Sequence, residues 1–158
     1  MTKLVRNARG LICLVALSAV TAAAASCKTP DGQRYPIPAQ DLSAQVPEGL
    51  TRVVFINTSN RALYFESGPI RIQLDGHQLP SIWLDHYVQA FVELGEHHLL
   101  LEHYDLIHWK GRHTVQVAGN EMFISVYNLP ISTDYEILNS LPEDFATRFK
   151  PGRDPANW

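Results

Sequence analysis

The chain of 158 residues carries 13 lysines and arginines against 16 acidic residues, a formal net charge of −3. That balance argues against nucleic acid as a partner and against electrostatic attraction to anionic lipid. The length suits one domain, and no repeat with a period of roughly 20–50 residues is visible.

Lys3, Arg6 and Arg9 precede an uncharged stretch from 10 to 26, apolar from Leu11 to Val20 and then small from Ala22 to Ser26. A membrane-spanning helix needs roughly 20 predominantly apolar residues, so this shorter run reads as a signal peptide over 1–26. Ala24-Ala25-Ser26-Cys27 resembles the lipobox of bacterial lipoproteins, with Ala24 where leucine is usual. Removing the signal takes away Cys13 and leaves Cys27 without an intramolecular partner, which favours its lipidation. More than one acyl chain on Cys27 would anchor the protein firmly to a membrane. Lys28, rather than Asp, follows the cysteine, and this resembles the sorting pattern for outer-membrane delivery, with the protein facing the periplasm. The mature chain keeps ten basic and 16 acidic residues, a net charge of −6.

Residues 27–50 hold Pro30, Pro36, Pro38 and Pro47 among polar neighbours and are expected to form the lipid anchor and a flexible tether. At about 3.1 Å per residue such a tether would reach on the order of 60–70 Å. A β-sandwich domain is expected over 51–131. Val53-Val54-Phe55-Ile56 is a continuous apolar run, as in a strand covered on both faces. Ile70, Ile72 and Leu74 alternate with polar residues and lead into Asp75-Gly76, a tight-turn dipeptide. Val88, Ala90, Val92 and Leu94 form the next inward row, with Gly95-Glu96 turning into a strand over 97–104. Strands over 113–117 and 122–127 follow. Six or seven short strands separated by turns predict a mostly β chain, a single antiparallel sandwich.

Residues 132–158 change character. Ser140 and Glu143 make a capping-box pattern, Pro142 fits a first helical turn, and Leu141, Phe145 and Phe149 follow at helical spacing. A short C-terminal helix and tail are expected.

Leu74-Asp75-Gly76, Tyr87 and Leu94-Gly95-Glu96-His97 together resemble the Pro-Glu-Gly-Ala class of surface domains and a related family of bacterial lipoproteins. The resemblance spans about 52–127, with Leu94 in the place of the usual proline. It implies an immunoglobulin-like sandwich and a binding or scaffolding role in the cell envelope, and it carries over no catalytic residue.

All seven histidines lie between 77 and 113. Imidazole is a common ligand of zinc and copper, so a metal-handling periplasmic protein is the alternative function. His97, His103 and Asp105 are the candidate ligands, with His103 and Asp105 sharing a face if the strand continues. His98 and His103 are spaced one residue too far apart for an inverted zinc-protease motif. No Gly-x-Ser-x-Gly string or glycine-rich phosphate loop occurs, so no enzyme and no resident cofactor are expected. Aromatic residues including Tyr104 and Trp109 could line a groove. The expected function is a lipoprotein that binds an envelope protein or glycan, with strand addition at a free edge as one route.

Overall fold

The computed structural model describes residues 36–39, 41–64, 68–104 and 107–152. Cys27 and the signal peptide expected over 1–26 lie outside them, as does Asp105. The chain is mostly β, with two antiparallel-rich sheets.

The first sheet contains β1 (Ile37–Ala39), β2 (Thr51–Asn57), β5 (His86–Val92), β8 (Glu121–Leu129) and β9 (Ser132–Leu138), in the order β1-β5-β2-β8-β9. A two-residue β10 (Lys150–Pro151) pairs with β5 as well. The second sheet contains β3 (Arg71–Leu74), β4 (His77–Gln78), β6 (Gly95–Tyr104) and β7 (His108–Val117), in the order β4-β3-β6-β7. One-turn helices α1 (Arg61–Tyr64) and α2 (Phe145–Arg148) complete the structure.

Alternation decides the interior. Val53 and Phe55 of β2, Ile72 and Leu74 of β3, Leu99 and Leu101 of β6, and Ile124 and Val126 of β8 fall in one buried cluster drawn from both sheets. The continuous run in β2 is apolar because both its faces are covered. Val54 and Ile56 point the other way, into a second cluster with Tyr87, Phe145 and Phe149. Asp75 and Gly76 take positive φ of 51° and 79°, so the chain reverses between β3 and β4 as the dipeptide predicts.

Several expectations are corrected. The central β2–β8 pair is parallel through six registered positions, where an antiparallel sandwich was expected. The chain does not make a hairpin after β5. Glu93 and Leu94 carry it from one sheet to the other, so Leu94 is 62 % exposed instead of inward, and Gly95 at φ +130° begins β6. The predicted tether is partly folded: β1 pairs with β5 at Ile37↔Phe91, and Arg52 donates to the carbonyls of Leu42 and Ala44, both at 2.7 Å. Pro38 is tolerated in β1 because it is a short edge strand.

The domain also extends past 131. Strand β9 pairs with β8 through seven positions, placing Thr133 and Tyr135 toward the interior. The helix expected from Ser140 is a single turn, preceded by Asp144 without a side-chain cap bond. Phe145 and Phe149 still reach the same apolar face, so their spacing reports a real contact although the helix is short.

Candidate functional site

The two sheets present different outer surfaces. On the first, Leu42, Leu141, Phe145 and Phe149 lie against Val54, Ile56, Tyr87, Phe123 and Leu138. The covering segment is tied down at its end. Arg148 Nε donates to Asp85 Oδ1 at 2.7 Å, Arg61 Nη2 donates to Asp85 Oδ2 at 2.7 Å, and Gly152 N–H donates to Tyr87 O at 2.6 Å. Burial alone would raise the Asp85 carboxyl, but the two arginine bonds and their charges hold it below the usual carboxylate range.

The outer face of the second sheet has no such cover among the described residues. It is built by the β6–β7 hairpin, registered over ten pairs, with β3 alongside. Because Leu99, Leu101, Val115 and Val117 turn inward, their neighbours His98, Leu100, Glu102, Arg112 and Thr114 turn outward. Register then aligns them in rows. Arg71, Glu102 and Lys110 form one row, and Gln73, Leu100 and Arg112 form the next.

These rows differ electrostatically. Glu102 is buried under Lys110 Nζ at 2.8 Å and His108 Nε2 at 3.5 Å, so the Lys110 charge is already engaged. Tyr104 stacks on His108 with ring centroids 3.9 Å apart, and the Arg71 guanidinium lies 4.6 Å from the Tyr104 centroid on its other contact. Beside this cluster is an open hollow of about 350 Å³ lined by Gln73, Gly76, His98, Leu99, Leu100, Arg112, His113 and Thr114. Among the described residues Arg112 pairs with no carboxylate. The hollow therefore offers one guanidinium, amide, imidazole and hydroxyl groups, and a half-buried Leu100 floor.

Two of the proposed metal ligands, His97 and His103, do not converge. His97 and His103 stand six residues apart on β6, roughly 20 Å at about 3.3 Å per residue, too far to share an ion. His97 is occupied locally: Nδ1 lies 2.6 Å from Asp75 Oδ2 and Nε2 lies 2.9 Å from Glu93 O. Asp75 also accepts the His98 N–H at 2.8 Å. Burial would raise the Asp75 carboxyl, but these bonds outweigh it and lower it. Among the described residues no group of three or more His, Cys, Asp or Glu side chains could hold a metal.

His103 serves a different contact. Its Nδ1 lies 2.6 Å from Thr133 Oγ1, and His113 Nε2 donates to Thr133 O at 3.2 Å. A hydroxyl beside an imidazole is the start of a nucleophile–base pair. Here both residues are 1 % exposed, so no substrate can reach the hydroxyl. The contact is a seam between β6, β7 and β9. Gly111 belongs to it, since a Cβ there would run into Thr133 O and come within 2.6 Å of His113 Nε2.

The same seam bears on strand addition. The second sheet ends in β7 on one side, where Tyr135 Oη donates to Thr114 O at 3.0 Å and ties β9 against it. The opposite edge, β4, is two residues long, and β1 is three. β4 and β1 leave an incoming strand few backbone groups to pair with, whereas the first sheet also ends in β9, seven residues long, whose Tyr135 bridges to β7.

No motif in the sequence marks a site on this outer face. Arg112, Gln73 and Leu100 come together only through the β3–β6–β7 register, which links residues far apart in the chain. The chain matches no protein-family model, no curated protein and no solved structure.

Proposed function

We propose that this protein is a lipid-anchored envelope lipoprotein whose immunoglobulin-like β-sandwich works by binding, without catalysis, through the outer face of its second sheet. One observation carries the reading: that face is open, concave and lined by Arg112, His98 and Gln73, whereas the opposite outer face is closed by Phe145 and Phe149. A face left polar and cationic on an acidic chain is a natural place for a partner. The single core drawn from both sheets supports a sandwich, and the resemblance to Pro-Glu-Gly-Ala surface domains agrees with a binding role.

Cys27 supplies the membrane attachment in this reading, at the outer membrane and toward the periplasm. Since β1 begins at Ile37, only residues 28–36 are left to act as a spacer. At about 3.1 Å per residue they reach no more than about 30 Å, so the domain works close to the bilayer.

Two measurements test this. Cys27→Ala should move the protein from the membrane to the soluble fraction; unchanged fractionation removes the anchor. Crosslinking in intact envelopes should yield adducts from probes placed at Gln73 or Thr114 and none from probes at Glu143. Equal labelling of the two sites removes the binding face.

A further inference from the structure

We infer that the hollow on the outer face of the second sheet binds a saccharide chain through a carboxylate, as in a uronic acid polymer, with Arg112 as the anchoring cation. The inference rests on the binding face proposed above and names its ligand class.

Charge sets the first constraint. Arg112 faces the hollow without a carboxylate partner among the described residues, while Lys110, two residues away on β7, is held by Glu102 at 2.8 Å. One free guanidinium matches one carboxylate, which it can hold by two parallel hydrogen bonds. A doubly charged phosphate would call for a second cation, and none of the other residues lining the hollow is a lysine or arginine.

The neighbours set the second. Gln73, His98 and Thr114 bring an amide, an imidazole and a hydroxyl to the same hollow. Such groups both donate and accept, which suits the hydroxyls of a sugar, each of which does the same. Leu100 lies half-buried in the row between Gln73 and Arg112 and offers an apolar contact for the C–H face of a ring. Shape sets the third. A hollow of about 350 Å³ is near the low end for small-molecule sites, and this one lies open on a sheet face. An open trough admits a polymer passing across the strands.

The test is calorimetric titration of the purified full-length chain in detergent with trigalacturonate, with the neutral galactose trisaccharide, and with a glutamate peptide of equal charge. Trigalacturonate should bind at least tenfold more tightly than the other two. Arg112→Gln should weaken it by roughly 10- to 100-fold, the range for losing one charge-assisted bidentate contact, with the circular dichroism spectrum unchanged. Lys110→Gln should weaken it by less than about threefold, since its charge is already paired. Equal binding of charged and neutral saccharides, or insensitivity to Arg112→Gln, overturns the inference. Preference for the glutamate peptide overturns the saccharide but leaves the binding face standing. Failure of all three ligands together with no envelope crosslinks at Gln73 or Thr114 overturns both.

Discussion

The two sheets share one interior yet turn opposite surfaces outward. The first sheet spends its outer face on stability: Val54 and Ile56 meet Phe145 and Phe149, and the tail is pinned through Arg148 and Asp85. The second leaves Gln73, Leu100 and Arg112 open to solvent or a ligand. The difference is visible in strand composition. β2 is apolar at successive positions, as a doubly covered strand must be, whereas β7 alternates, as a strand with one wet face does.

If this division is right, the largest stability effects belong to the first face. Phe149→Ala removes a side chain that is 6 % exposed and stacked on Phe145 at 5.4 Å. It should cost about 3–5 kcal/mol in urea unfolding, the usual range for a buried Phe-to-Ala change. A loss below about 1 kcal/mol would mean that the tail merely rests on the sheet.

The seam where the two sheets meet comes next. Gly111→Ala puts a methyl group into the space held by Thr133 O and His113 Nε2, one of them backbone that has little freedom to move. Overpacking of this kind costs about 1–3 kcal/mol. The expected result is a lowered melting temperature, with Phe149→Ala additive to it because the cluster of Phe149 contains neither Thr133 nor His113.

The sequence exposed these regions unequally. Local periodicity revealed β2, β3, β6 and β8, and Asp75-Gly76 revealed its turn, because each signal lies within a few consecutive residues. Strand β9 alternates at Thr133, Tyr135 and Ile137, but half its positions are polar and the Ser140–Glu143 pattern drew attention to a helix instead. Leu94 continues the inward parity of Val88, Ala90 and Val92 in the sequence, but the crossing between sheets exposes it. The histidine cluster suggested metal because its members are close in sequence, yet His97 and His103 each answer to a partner 22 or 30 residues away. Arg112 carried no local signal at all, since its site exists only through pairing across three strands.

Acid should act mainly on the ties that hold the covered face and the β3–β4 turn. Asp85 and Asp75 have carboxyls below their ordinary value of 3.8 in the folded protein. A lowered folded value means that the unfolded state binds protons first, so the stabilisation is complete above about pH 4 and declines as pH falls below that. Arg61 is largely exposed, which screens its share, and the pair with Arg148 is only partly protected. Asp85→Asn should therefore flatten the stability profile between about pH 4 and pH 2 while changing stability at neutral pH by about 1 kcal/mol or less. An unchanged acid profile would show that Arg148 does not fasten the tail.

The smallest stability effect is expected where the binding effect is largest. Arg112 lies on a wet face with no described ion pair to lose, so Arg112→Gln should change urea unfolding by no more than about 0.5 kcal/mol. Phe149→Ala, measured under conditions where the protein is still folded, should leave binding at the second sheet intact, since no residue of its cluster lines the hollow. Each variant thus moves one property and spares the other. The outcome that breaks the division is a loss of binding in Phe149→Ala equal to that in Arg112→Gln, because it would require the covered face to shape the open one. Coupling could run through the interior between Val53, Phe55, Leu99 and Leu101 or through the seam that His103 and His113 make with Thr133. Packing in that interior, and at His103 and Thr133, is buried and leaves little room for graded adjustment, so the two faces should respond separately.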